Sequence, residues 1–330
     1  MEFDEILERF KKRRMGPGEA AESTADRYVR HVRNWRNWLA KNGNKTVWEA
    51  EYDDLRLFAE ELVYQDMAPT TISQRVSAIS KFYQDAKKFP DYLDIPEVPE
   101  NPYDGFDKDD KKLLRGDTKK KTGLKDSEKD EYPYLESEEV EKLVENVPAP
   151  RLRNELIIKL LYHIGFRRGE LAKAKIKHID RTDRSVYIPP RKSPEGRHIA
   201  YKQDYLGFQL DRWIDHDRDS MTYASESDYL FPTNNNEHIS ADYIGKVVKK
   251  AAENAGLQET IAEYSDGRKL HKVTAHTLRH SYAMRTLKTA EDVDIRTLQS
   301  LLGHEELDTT LIYLQQSKEE AKEASRGFVP

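Results

Sequence analysis

The feature that most constrains this chain is a block of charge in its first half. Residues 107–131 read DKDDKKLLRGDTKKKTGLKDSEKDE. So few apolar side chains cannot offset the entropy of ordering the segment. The block predicts a linker, and so two separately packed domains, which 330 residues can supply. A breaker-rich passage, FPDYLDIPEVPENPYDGF, leads into it.

Before the block the apolar spacing is helical. Val29, Val32, Trp35 and Leu39 recur at steps of three or four within Glu22–Leu39. Tyr52–Tyr64 reads as a second helix. Thr70–Lys88 reads as a third, with Pro69 at its start and Ile72, Val76, Ile79 and Phe82 as its core stripe. Residues 1–19 read as a charged segment closed by Gly16-Pro17-Gly18, and residues 20–106 as a small all-helical domain. Arg27, Arg30, Arg33 and Arg36 flank the first stripe, and Arg75 and Lys81 lie on the third helix. These cations fit either a solvated helix face or a surface that tracks DNA phosphates.

After the block, from Tyr132 to Pro330, helices predominate again. LESEEVEKLVENV is a helix with Ser137 as N-cap, and RNELIIKLLYHIGF is apolar enough to be buried. Ser185–Ile188 and His198–Tyr201 flank the turn residues Ser193-Pro194-Glu195-Gly196, a hairpin signal. Helical patterns follow at Tyr205–Asp215, Ala241–Ala255, His276–Lys288, Ile295–Leu302 and Thr309–Ser325. The expected class is mainly α with one small antiparallel sheet.

Composition excludes several chemistries. The absence of Cys removes thiolate catalysis and zinc-thiolate sites. The ten His show no metal-ligand spacing, so no metal is expected. No apolar run approaches the ~20 residues of a membrane span, and the charged N-terminus lacks a secretory h-region. A cytoplasmic protein without a membrane partner is the expectation. The net charge of −5 argues mildly against a nucleic-acid binder, although clustering of charge matters more than its sum.

Three clusters and the hairpin carry chemistry. In GFRRGEL, Arg167 and Arg168 follow a hydrophobic helix, with Glu170 as an ion-pair partner. In AHTLRHSYAMRTL, His276, Arg279 and His280 share one helix face, a cationic arrangement suited to an anion. In LLGHEELDTTLIY, Tyr313 lies nine residues beyond His304. Lys192 lies at the hairpin tip between Arg191 and Ser193. Each alone has a plain structural reading: a capping arginine, a packed histidine, a solvated turn lysine. Together they read as metal-free phosphoryl transfer onto tyrosine. Arginine binds phosphate oxygens, histidine moves protons near neutral pH, and lysine can protonate a departing alkoxide.

In order along residues 20–317, these motifs resemble the tyrosine recombinase/phage integrase family of the Xer-like kind. The resemblance implies a SAM-like core-binding domain before a catalytic domain with a C-terminal tail helix. It also implies double-stranded DNA as partner, with a homotetramer on the recombination site and a monomer permitted in solution. By the same resemblance, Arg167 and Arg279 clamp the scissile phosphate and Glu170 orients Arg167. His276 serves the tyrosine as proton shuttle, His304 bonds the phosphate, and His280 supports them. Lys192 is the general acid and Tyr313 the nucleophile, with no ATP or other cofactor. Arg191 joins the DNA-binding set, and Arg191 or Arg197 can share the role of Lys192, because the hairpin lacks the family's Gly-Lys-Gly. Two rivals stand beside this reading: a type IB topoisomerase-like enzyme, and a non-catalytic DNA-binding protein on the same scaffold.

Overall fold

The computed structural model describes residues 3–17, 19, 22–95, 98–115, 133–190, 195–263, 269–289, 293–304 and 310–318. The chain divides into two compact units, one formed mainly by the N-terminal helices and one mainly by residues 133 onward. Among the described residues no helix is long and apolar enough to cross a membrane.

The first unit holds α1 (Phe3–Arg14), α2 (Glu22–Asn42), α3 (Tyr52–Tyr64), α4 (Pro69–Lys88), α5 (Pro90–Leu93) and α6 (Lys108–Arg115). The helical stripes become its core: Val29, Val32, Trp35 and Leu39 of α2 pack with Ile72, Val76, Ile79 and Phe82 of α4. Glu51 and Asp54 form a capping box that starts α3. Two core aromatics have their polar atoms satisfied. Trp35 Nε1 donates to the Tyr83 hydroxyl at 3.0 Å, which donates to the Val47 carbonyl at 2.6 Å.

Two charged stretches pack more than their composition implies. Residues 1–19 were set apart as a charged segment, yet α1 buries Ile6, Leu7 and Phe10 in this core. The stretch from Asp107 is expected to be a linker too poor in apolar side chains to order, yet α6 buries Asp110 and Leu114. Asp110 accepts from the Tyr52 hydroxyl at 2.9 Å and from Arg56 Nε at 3.2 Å. A few well-placed residues suffice when the partners come from elsewhere in the unit.

The second unit contains α7 (Ser137–Glu145), α8 (Arg151–His163), α9 (Arg168–Ala172), α10 (Phe208–Asp215), α11 (Ala241–Asn254), α12 (Ala275–Thr289), α13 (Ile295–Leu302) and a final described helix, α14, at residues 310–318. Glu136, not Ser137, occupies the N-cap of α7, where its N–H donates to Glu139 at 3.0 Å. β1 (Ile179–Asp180), β2 (Ser185–Ile188) and β3 (Arg197–Ala200) form an antiparallel sheet in that order, with Ile188 opposite Arg197. A two-stranded ribbon that periodicity did not reveal, β4 (Thr260–Glu263) and β5 (Lys269–His271), precedes α12 in the chain, and its residues 262–263 and 269–270 group with the first unit. The buried faces of α8 (Leu156, Ile157, Leu160, Leu161) and α12 (Leu278, Tyr282, Ala283) belong to one core, and Tyr313 is part of it.

Candidate active site

The cluster begins where α8 stops. Gly165 follows the helix with φ +69°, and a Cβ there would stand 2.5 Å from Tyr282 Cδ1. Glycine is therefore required twice, by backbone conformation and by the approach of α12. The turn brings Arg167 to the N-cap of α9. Its backbone N–H and its Nη1 both donate to Glu170, at 2.9 and 2.8 Å, and its Nη2 donates to the Gly303 carbonyl at 2.9 Å. Arg168 stays exposed and pairs with Asp242 at 3.3 Å. Of the two adjacent arginines, only Arg167 joins the cluster.

On α12, Arg279 is 1% exposed. Its Nη1 donates to the Gly165 carbonyl and its Nη2 to the Leu302 carbonyl, while its Nε is buried without a hydrogen-bond partner. The side chain thus joins the ends of α8 and α13. One turn before it His276 is exposed, and directly after it His280 is buried, their rings 4.2 Å apart. Gly303 ends α13 in the left-handed region, which turns the chain so that His304 Nδ1 lies 2.9 Å from the Thr310 hydroxyl. Tyr313, on α14 of the same chain, is 1% exposed, and its hydroxyl lies 2.6 Å from His280 Nδ1. Its ring is nearly parallel to that of His304 at 6.4 Å.

The electrostatics are those of a dry cationic site. Burial alone would push the Glu170 carboxyl up, but Arg197, the Arg167 N–H and Arg279 together hold it below its ordinary value. Burial, reinforced by Arg167, brings Arg279 down to about 9. Burial is also the main cause for the histidines. It takes His280 to about 3, aided by His276, Arg279 and His304. It takes His304 to about 3, aided by Arg279 and Arg167. His276 is lowered by desolvation and then by Arg279 and Arg167. At neutral pH the imidazoles are uncharged acceptors or donors set among guanidinium cations. Arg167, Arg197 and Arg279 face one carboxylate, Glu170, and such a surplus favours an anion.

The structure brings together Arg167, Glu170, His276, Arg279, His280, His304 and Tyr313. It differs from the expected roles at one point: the imidazole against the tyrosine hydroxyl is His280, not His276. Both lie on the face that i, i+4 spacing defines, and spacing cannot say which meets a helix arriving from elsewhere. Arg191 and Lys192 lie outside the described residues. Two members of the cluster carried little signal. Thr310 has no marked place in the sequence pattern, and Arg197 enters it only as a substitute for Lys192. In the structure Arg197 Nη2 donates to Glu170 at 2.7 Å.

In the first unit the basic residues divide. Arg27, Arg30 and Arg75 all act on buried His31, which burial first and their charges next bring down to about 4. Arg33 instead donates to Asp4 of α1 at 3.0 and 3.2 Å, and Arg36 lies 3.9 Å from the same carboxylate. The Lys81 backbone carbonyl accepts from Arg14 at 3.2 Å.

Comparison with known proteins follows the same division. Residues 133–320 match the phage integrase family, and residues 7–88 match the phage integrase N-terminal SAM-like domain. The chain is similar to tyrosine recombinase XerA of Pyrococcus furiosus, 33% identical over 58% of this chain and 59% of that protein. It is 35% identical to tyrosine recombinase XerC 2 of Ralstonia nicotianae over 56% of this chain and 50% of that protein. These matches span 59% and 50% of the two relatives, under two thirds of each. A third, tyrosine recombinase XerC of Oceanobacillus iheyensis, is 24% identical over 87% of this chain and 83% of its own. The fold is shared with XerH recombinase bound to its difH substrate before cleavage: TM-score 0.61, 22% identity, 96% of this chain and 82% of that one. It is also shared with a lambda integrase tetramer on a Holliday junction: TM-score 0.58, 16% identity, 93% of this chain and 76% of that one.

Proposed function

Since this chain belongs to the phage integrase family, we propose that it is a site-specific DNA recombinase that cuts and rejoins DNA through a covalent phosphotyrosyl intermediate. The observation that carries this reading is the Tyr313 hydroxyl held by a neutral imidazole, in the cluster that contains Arg167, Arg279 and His304.

The phosphate of a DNA strand enters the cationic cluster, where Arg167 and Arg279 hold its non-bridging oxygens and His304 adds a hydrogen bond. Tyr313 leaves its buried position and its oxygen attacks phosphorus. The phenolic proton passes to an imidazole. His280 Nδ1 lies against the hydroxyl in the resting arrangement, and His276 is the exposed ring beside it. The bond from phosphorus to the 5′ oxygen breaks, and Lys192 gives that oxygen a proton. The products are a 3′-phosphotyrosyl link and a free 5′-hydroxyl. The link keeps the phosphodiester at its original oxidation state and bond count, so a second 5′-hydroxyl can reverse the step on another strand without an external energy source. Two rounds on a homotetramer exchange strands through a Holliday junction. Arg27, Arg30 and Arg75, with Arg191, supply duplex phosphate contacts. The reaction takes place on double-stranded DNA in the cytoplasm.

The test uses nicked duplexes with a randomised core, incubated with the full chain. Covalent complexes are collected by detergent precipitation and sequenced. Wild type should yield complexes enriched in one core sequence, and Tyr313→Phe should yield none. Complexes that persist in the Phe variant would remove Tyr313 as nucleophile. Catalytic relaxation of plasmids without tetramers on any enriched site would replace recombination by a topoisomerase activity.

A further inference from the structure

We propose that Arg197 is a positioning residue for strand cleavage: it neutralises Glu170, so that Arg167 and Arg279 remain available as cations for the scissile phosphate, and it fixes the turn end of the β2–β3 ladder to the Gly303–His304 turn. The proposal rests on the recombinase reading above.

The placement is specific. Arg197 opens β3 opposite Ile188, the last ladder pair before the hairpin turn. Its Nη2 and Nη1 both donate to Glu170, at 2.7 and 3.4 Å. The two side chains are 11% and 8% exposed, so solvent screens the pair weakly. The same guanidinium lies against Gly303, where a Cβ would stand 2.8 Å from Arg197 Nη1. Gly303 also has φ +61°, so it is glycine for both conformation and clearance. Its carbonyl accepts from Arg167 Nη2. Arg197 therefore supports both acceptors that hold Arg167, the Glu170 carboxylate and the Gly303 carbonyl.

The charge count gives this geometry a purpose. Without Arg197, Glu170 would face Arg167 at 2.8 Å and Arg279 at 3.9 Å, and would cancel much of their pull on an anion. With it, three guanidiniums oppose one carboxylate and two positive charges remain. A phosphodiester carries one negative charge and the phosphorane formed by tyrosine attack carries two, so the surplus matches the transition state better than the ground state. Both Arg197 Nη atoms are engaged by Glu170, so the residue acts through its neighbours.

Full-length wild type, Arg197→Ala, Arg197→Lys, Glu170→Gln and the Arg197→Ala/Glu170→Gln double variant are compared on a nicked duplex of the enriched core. Arg197→Ala should slow adduct formation about 100-fold with duplex binding unchanged, and Arg197→Lys should recover part of the rate. The double variant restores two surplus charges and should react faster than Arg197→Ala alone. A second readout needs no DNA. Arg197 is the first of the groups that hold the Glu170 carboxyl low. A carboxyl depressed on folding stabilises the protein above its unfolded pKa and loses that contribution as pH falls. Arg197→Ala should therefore raise the midpoint of acid unfolding, and on a Glu170→Gln background it should not. Adduct formation by Arg197→Ala at the wild-type rate, or losses that multiply in the double variant, overturns the proposal. If wild type forms no adduct, the recombinase reading fails, and the acid-unfolding cycle alone decides whether Arg197 and Glu170 are coupled.

Discussion

Arg14 in the first unit, partly buried, and Arg279 in the second, fully buried, are arginines held in opposite ways. Arg14 Nη2 meets the Asp85 carboxylate at 2.9 Å and its Nη1 meets Glu19 at 3.3 Å, so the charge is closed by its own counterions. Arg279 spends its donors on two backbone carbonyls, and the Glu170 carboxylate stands 3.9 Å away and already engaged by Arg167 and Arg197. A buried cation matched by its own counterion has nothing left to offer a ligand. One solvated only by carbonyls still attracts an anion, at a standing cost in desolvation. The first unit uses charge to hold helices together, and the second keeps part of its charge unspent.

The contrast breaks first at Arg279. Arg279→Ala should reduce adduct formation by about 1000-fold. It should also leave the Gly165 and Leu302 carbonyls without their donor, at about 1–3 kcal/mol each. Arg14→Ala should do the reverse: orphaning Asp85 costs about 3–5 kcal/mol of stability, with the single-turnover rate per folded molecule unchanged. Denaturant unfolding and single-turnover cleavage on both variants decide it. If Arg14→Ala alters the chemistry, or Arg279→Ala still cleaves, the distinction disappears.

The next effect is in pH. His280 titrates at about 3 in the folded unit, against 6.5 ordinarily, so the unfolded chain takes up its proton first. Stability is full above about 6.5 and falls as pH drops toward 3, by about 1.4 kcal/mol per pH unit for this buried ring. Thermal unfolding of the second unit between pH 7 and 5 should show the slope, and His280→Gln should flatten it. A slope unchanged in that variant would mean the ring is not held neutral by burial.

The smallest effect sharpens the comparison within the first unit. Arg27→Ala or Arg30→Ala should each lower the salt slope of duplex binding by about 1. Arg33→Ala should lower it by less, because Asp4 already engages that guanidinium. Equal slopes for all three would place Arg33 on the DNA face despite Asp4.

How much of this was legible in sequence differs by residue. The stripes of α2 and α4 were readable because each helix buries one side and a 3.6-residue period marks it. The packing of α1 was not, because Ile6, Leu7 and Phe10 are diluted by charged neighbours and their partners come from α2 and α4. Asp4 was invisible as a partner of Arg33 for the same reason: the contact joins two helices across the intervening turn. At the site, Arg167, Glu170, Arg279, His304 and Tyr313 stood out because residue type and local spacing carry their chemistry. Arg197 and the pairing of His280 with Tyr313 depend on how β3 and α14 arrive at α9 and α12, which no local pattern encodes.

Burial of Tyr313 also bears on selectivity in time. Of 18 tyrosines, this one is kept 1% exposed, in contact with an uncharged ring, whereas Tyr64 is 89% exposed. A phenol stored this way is shielded from adventitious oxidants and acylating agents that would reach an exposed one such as Tyr64. Exposing it means giving up its packing in the core and its hydrogen bond, a loss that favourable contacts with a phosphate in the cationic cluster can offset. For the nucleophile proposed above, reactivity would thereby be conditional on substrate binding rather than carried by the free protein.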